Sequence, residues 1–236
     1  LRPSKMNERI CKCGKPLKPY KVGTYTFWQS KCGVCRDKQA AAHEKEEREK
    51  NRLREEHKLR EALSQTIPRR YEKASLGDLP TGLREMLEKL MPEKGAYIYG
   101  ETGRGKTHAL CAVARELITR GYWVKRVVWE RLAFDIRSSF NSSDTDEGGI
   151  VQPLLDCDVL IIEDVGTSTS NDRIESDFNL RTLLMILDYR NEFMRPTWFS
   201  SNKSVAQLGG TFDDRTASRI REHCEIILLE GKDKRG

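Results

Sequence analysis

The octapeptide Gly100-Glu101-Thr102-Gly103-Arg104-Gly105-Lys106-Thr107 constrains this chain more than any other stretch, because it fits the pattern GxxxxGK[ST]. It lies between an apolar run, Ala96 to Tyr99, and an amphipathic segment, 106–120, that stops at Gly121. A strand, a glycine-rich turn and a helix in that order form a phosphate cradle. The glycines let backbone N–H groups close around phosphate oxygens. The positive end of the helix dipole points at the same oxygens. Lys106 is then expected to reach the β- and γ-phosphates, and the Thr107 hydroxyl to ligate Mg²⁺. Gly100 through His108 is thus the expected nucleotide-binding segment, with ATP or ADP and Mg²⁺ as ligands.

The surrounding pattern is α/β from residue 68 onward. Strands are expected at 96–99, 123–129, 158–162 and 197–200, and helices at 106–120, 130–140 and 178–190. Residues 141–149 (NSSDTDEGG) read as a flexible loop. Strands that are apolar along their whole length, alternating with helices, imply a parallel sheet covered on both faces. A P-loop nucleoside triphosphatase core over 68–236 is the expected fold.

Three further groups complete a hydrolytic site. The strand Val159-Leu160-Ile161-Ile162 delivers Glu163 and Asp164 to its C-terminal end, where open α/β sheets bind ligands. By position Glu163 takes the metal role and Asp164 the task of polarising the attacking water. Asn202, ending the strand Thr197 to Ser200, is placed to hold that water or touch the γ-phosphate; its alternative role is simply to start a turn. Arg219, in Asp213-Asp214-Arg215-Thr216-Ala217-Ser218-Arg219-Ile220, is a candidate arginine finger for a neighbouring copy, with Arg215 the second choice. A surface helix that merely carries arginines is the plainer reading.

The first third of the chain is different. Residues 1–70 hold 19 Lys/Arg against 9 Asp/Glu, a net +10, whereas the rest carries −4. A basic head suggests an acidic or polyanionic partner. Cys11-x-Cys13 and Cys32-x-x-Cys35 supply four thiolates for a structural Zn²⁺, while Cys111, Cys157 and Cys224 read as isolated core thiols. Gly14 and Gly33 are expected to relieve the turns beside the ligands. A module of this size needs the metal to fold. Tyr25, Phe27 and Trp28 form either its small core or, with Lys12, Lys15, Lys18, Lys21 and Lys31, a nucleic-acid surface. Residues 37–64 lack Gly and Pro and favour one long charged helix ending before Pro68. The expected division is a zinc module at 1–36, a partner-docking helix at 37–67 and the ATPase at 68–236. The sequence has no apolar run long enough to span a membrane. With no apolar N-terminal leader visible either, the expected location is the cytoplasm.

GETGRGKT, VLIIEDVG, TWFSSN and TASRI, in that order, resemble the DnaC/DnaI/IstB group of AAA+ ATPases, as do IPRRYEKASL, LDYRNEFMRPTWFSSN and EGKDKR. The resemblance covers about 165 residues. Members load the replicative hexameric helicase onto single-stranded DNA or serve transposases as ATP-dependent partners, and the cysteine module ahead of the ATPase is more like a DnaI-type loader. The resemblance implies ATP-dependent self-assembly with Arg219 acting in trans. It also implies a grip on the helicase by the zinc module and its helix, and DNA contact near 130–145, with Arg131, Arg137 and Phe140 as candidates. The group usually has Asp before Glu where this chain has Glu163 before Asp164. That reversal implies slow hydrolysis and a nucleotide used chiefly as an assembly switch. A zinc-containing nucleic-acid adaptor with a nearly inactive ATP site is the remaining alternative.

Overall fold

The computed structural model describes residues 9–139, 147–166, 177–231 and 233. The chain divides into two compact units between Lys58 and Leu59.

In the first unit, strands β1 (Pro19–Val22) and β2 (Tyr25–Trp28) pair antiparallel across Gly23-Thr24. Helix α1 (Gly33–Thr66) follows. It begins four residues before the expected start, so Cys35 lies in its first turn. Gly14 does adopt a left-handed φ of 84°, but Gly33 does not; it opens the helix instead. No α1 side chain is fully buried, as its sparse leucines require. Leu53 is exposed, whereas Leu59, Ala62 and Leu63 pack against the core of the second unit, to which they belong.

The second unit is built on a five-stranded parallel sheet. Its strands are β3 (Gly95–Tyr99), β4 (Val124–Val128), β5 (Val159–Glu163), β6 (Thr197–Ser201) and β7 (Cys224–Leu228), in spatial order β4-β5-β6-β3-β7. Strand periodicity splits the core in two. Ala96, Ile98, Val159, Ile161 and Trp198 face one side, packed with Leu110, Val113 and Leu117 of helix α3 (Lys106–Thr119). Tyr97, Leu160, Ile162 and Phe199 face the other. There they meet α4 (Trp129–Ser139), α5 (Glu147–Asp156), α6 (Asp177–Glu192) and α8 (Asp214–His223). Full burial of each such side chain is worth about 1.5–3 kcal/mol, so the two layers dominate the stability of this unit.

The expected strands and helices are present with ends shifted by one or two residues, and the α/β core stands as expected. The differences lie where breakers or short lengths obscured the pattern. Helix α2 (Thr81–Leu90), helix α7 (Val205–Thr211) and edge strand β7 add to the expected set. Residues 147–149, expected in a loop, begin α5, which also accommodates Pro153. The rest of that loop, 141–146, and Phe140 lie outside the described residues.

Arg190 of α6 holds this side of the sheet together. Its guanidinium is fully buried and donates to the carbonyls of Leu154, Cys157, Asp158 and Pro196 and to the Thr197 hydroxyl. Burial pushes its pKa down, yet the carbonyl cage satisfies each face of the fork. Cys111, Cys157 and Cys224 are core thiols as expected; burial pushes Cys111 up to about 11 and Cys224 up to about 12.

Candidate functional site

The chain leaves β3, which lies between β6 and edge strand β7, crosses to the far edge at β4, and returns through β5 and β6 to lie beside β3 again. That reversal opens a crevice at the C-terminal ends of β3, β5 and β6. The turn Gly100–Gly105, Asp164 and Asn202 all project there. Gly103 (φ 83°) and Gly105 (φ 93°) take left-handed conformations that suit glycine, and Gly105 is the N-cap of α3. The first backbone N–H groups of α3 therefore face the crevice.

A cleft of about 550 Å³ lies at this point. Thr102, Gly103, Gly105, Lys106, Thr107, Asp164 and Asn202 line its phosphate end. The Lys106 side chain is buried, and its ammonium donates to Gly100 O at 2.7 Å, Glu101 O at 2.9 Å and Asn202 Oδ1 at 2.7 Å. The P-loop lysine and the β6 asparagine, 96 residues apart, thus meet directly. Arg104 turns away, donating to Gly231 O and pairing with Glu101. The Asp233 carboxylate lies against Gly103, where an added Cβ would clash with it.

The two carboxylates of the acidic pair diverge. Asp164 lines the cleft in a left-handed conformation (φ 57°), which Asp tolerates better than most residues. Its N–H donates to Ser200 Oγ at 3.1 Å, and Ser201 Oγ donates to Val165 O at 2.6 Å, so β6 hydroxyls pin the turn. Glu163 is 1% exposed, and its carboxylate accepts from Arg126 Nε on neighbouring β4 at 2.5 Å. Burial opposes the Arg126 charge, but the Glu163 hydrogen bond and charge outweigh it and hold that guanidinium above its ordinary value. Glu163 is not among the residues lining the cleft.

The opposite end of the cleft comes from residues that carried no assigned role. Arg70, Tyr71 and Asp78 precede the first strand of the sheet, Val128 ends β4 and Glu130 lies in the first turn of α4. Tyr71 meets His108 edge-on at 6.5 Å between ring centres, and His108 Nε2 stands 3.4 Å from an Asp78 oxygen. A capping box with Ser75 holds the turn at Asp78. The segment IPRRYEKASL was the one available sign of this wall, since separate motifs do not announce that they will share a cleft.

Arg219 is not in this cleft. On α8 it pairs with Asp188 of α6 at 2.8 Å and Glu222 at 3.1 Å, which together hold its guanidinium above the ordinary value; Arg215 stands 4.0 Å from the same Asp188. Arg131 is exposed, pairs with Asp135 and lies over the exposed ring of Phe134 at 5.9 Å. Arg137 donates to Ala133 O.

In the first unit Cys11, Cys13, Cys32 and Cys35 come together, with all four sulfurs within 4.8 Å of one another. Tetrahedral zinc, with Zn–S bonds of about 2.3 Å, places its sulfurs about 3.8 Å apart, so the set fits. The chemistry fits as well. The backbone N–H groups of Cys13 and Cys32 pull the Cys11 thiol down to about 6, toward the thiolate a metal requires. Side-chain contacts with Cys13, Cys32 and Cys11 push Cys35 up to about 12. Four thiolates share this space only with a cation among them. His43 lies exposed on α1 outside the set.

Comparison with known proteins agrees with this geometry. Residues 86–236 match the family model described as IstB-like ATP binding protein. The replicative helicase loader DnaC of Escherichia coli (strain K12) is 26% identical over 139 residues, 58% of this chain and 55% of that protein. The replicative helicase loader DnaI of Bacillus subtilis (strain 168) is 26% identical over 154 residues, 60% of this chain and 48% of that protein. The chain thus spans about half the length of the curated relatives it matches. A crystal structure of DnaI superposes with a TM-score of 0.60 at 25% identity, covering 74% of this chain and 99% of that one. With a P-loop at a parallel-sheet switch point and a family match over most of its α/β unit, the chain belongs to the IstB-like ATP-binding proteins, within the DnaC/DnaI/IstB group of AAA+ ATPases.

Proposed function

We propose that this protein is an ATP-switched assembly factor that loads a replicative hexameric helicase onto single-stranded DNA in a bacterial cytoplasm. The observation that carries the ATP half is the contact between Lys106 Nζ and Asn202 Oδ1 at the mouth of the P-loop. An arriving γ-phosphate offers Lys106 a stronger, charged acceptor than the carboxamide. Asn202, once released, would hold the attacking water, and Asp164 would polarise it. Thr107 and Glu163 are the proposed Mg²⁺ pair; Arg126 must yield Glu163 for that role, which couples metal binding to β4. The metal would neutralise phosphate charge. Arg219 would leave Asp188 to complete a neighbour's site. The zinc module and α1, residues 1–67, would grip the helicase, and Arg131, Arg137 and Phe140 would contact DNA.

The similarity to helicase loaders supports this reading. The family match supports a second one, an ATPase that binds duplex DNA and activates a transposase. Capture of a purified hexameric helicase by the full chain, with and without ATP, separates them. Loading predicts ATP-sensitive capture and preference for single strands; capture of a transposase with preference for duplex DNA replaces it with the second reading. Turnover should fall about 10³-fold in Arg219→Ala if that residue acts as a finger. If ATP binds but turnover is undetectable in every condition, the protein is a switch and not an ATPase.

A further inference from the structure

The β1–β2 hairpin carries a surface that ATP chemistry does not use. Cross-strand pairing places Tyr20 opposite Phe27 and Val22 opposite Tyr25. The two-residue period puts these four on one face, and Pro19, Lys21, Thr26 and Trp28 on the other. A module this small ordinarily hides its rings. Here Tyr20 is 50% exposed, Val22 59%, Tyr25 73% and Phe27 47%. The buried side chains of the described part of the module are Cys11 and Cys32, two of the proposed zinc ligands, so the metal rather than aromatic burial holds it together. Tyr20 and Phe27 already stack, 5.8 Å between centres and 29° between planes, which gives a platform formed in advance.

The charge around this platform is of one sign. Residues 9–36 contain seven Lys/Arg and no Asp/Glu. Lys12, Lys15, Lys18, Lys21 and Lys31 are exposed. Zinc with four thiolates carries two negative charges, which leaves the module strongly positive. Lys18 closes the open end of the hairpin, where its carbonyl accepts from Gln29 N–H. An acidic peptide would engage the lysines but leave the rings wet. An apolar protein face would cover the rings at the cost of desolvating the lysines. Unpaired bases on a phosphate backbone satisfy both requirements, whereas duplex DNA keeps its base faces stacked away.

We propose that this hairpin face binds single-stranded nucleic acid, with bases stacked on Tyr20, Tyr25 and Phe27 and the lysines neutralising phosphates. The inference stands apart from the nucleotide cleft and leaves α1 and the rest of the zinc module as the helicase contact.

The test uses the full, zinc-loaded chain without nucleotide and a fluorescent oligothymidylate of about 20 nucleotides. The variant Y20S/Y25S/F27S alters exposed rings only, and its zinc content, read colorimetrically, reports that the module is intact. Affinity should fall more than about 10-fold, since each stacked base is worth about 1–3 kcal/mol. K18E, which keeps the rings, should weaken binding and flatten its salt dependence. Light-induced crosslinking of an iodouracil oligonucleotide to the unsubstituted chain should attach it to Tyr20, Tyr25 or Phe27. Oligouridylate arms tell whether RNA serves as well as DNA, and either result keeps the stacking assignment. Crosslinks confined to residues 59–236, with unchanged affinity in the ring variant, would overturn the proposal. So would loss of helicase capture in that variant with oligonucleotide affinity intact, which would make the face a protein dock. Failure of ATP binding would leave this result untouched.

Discussion

The two units of this protein solve the stability problem in opposite ways. The α/β unit buries two continuous apolar layers and turns polar groups to the C-terminal ends of its strands. Among its described residues the N-terminal unit buries two cysteines and leaves the rings of Tyr20, Tyr25 and Phe27 largely in water. One is held by hydrophobic area; the other offers four sulfurs to the zinc proposed to hold it. Where area holds a fold, function is confined to its edges. Where a metal holds it, a whole sheet face is released for contact.

The contrast sets the order of expected effects. Removing zinc with a strong chelator should unfold the hairpin outright, because binding free energies of about 10–16 kcal/mol are the folding free energy of such modules. Hydrogen exchange should show residues 9–32 losing all protection while β3 to β6 keep theirs. Equal loss in both units would break the contrast. Arg190→Leu should act the other way round. It leaves several buried carbonyls without a donor, which should cost the α/β unit about 3–5 kcal/mol in denaturant unfolding, with zinc content unchanged. Tyr25→Ala should be the mildest change, within about 0.5 kcal/mol, since its ring is mostly in solvent. A larger loss would mean that the ring supports the module after all.

Much of this was readable from residue order, and the unreadable part has a common cause. The P-loop, the acidic pair and the terminal asparagine are local patterns with fixed chemistry, and the fold brings Lys106 to Asn202. Cysteine spacing likewise foretold the sulfur cluster. The pairing of Glu163 with Arg126 depends on β4 lying beside β5, and no local pattern states which strands are neighbours. The same holds for Ser200 and Ser201, which look like ordinary strand residues until they are seen pinning the turn at Asp164. Asp78 and Tyr71 become cleft residues only when α3 is packed beneath them. Helix α5 was obscured by Gly148, Gly149 and Pro153, whose propensities its packing in the core overrides. For Tyr25 and Phe27, composition allowed both a buried and an exposed place; the hairpin register decided for exposure.

The whole account stands on Lys106 as a triphosphate ligand. Titrating the full chain and Lys106→Ala with ATP by calorimetry addresses this directly. Loss of a charge-assisted contact to phosphate predicts at least about a 100-fold drop in affinity, with the zinc content and the thermal unfolding of the hairpin unchanged. Equal ATP affinity in the two proteins would mean that the cleft beside Lys106 is not where the nucleotide binds.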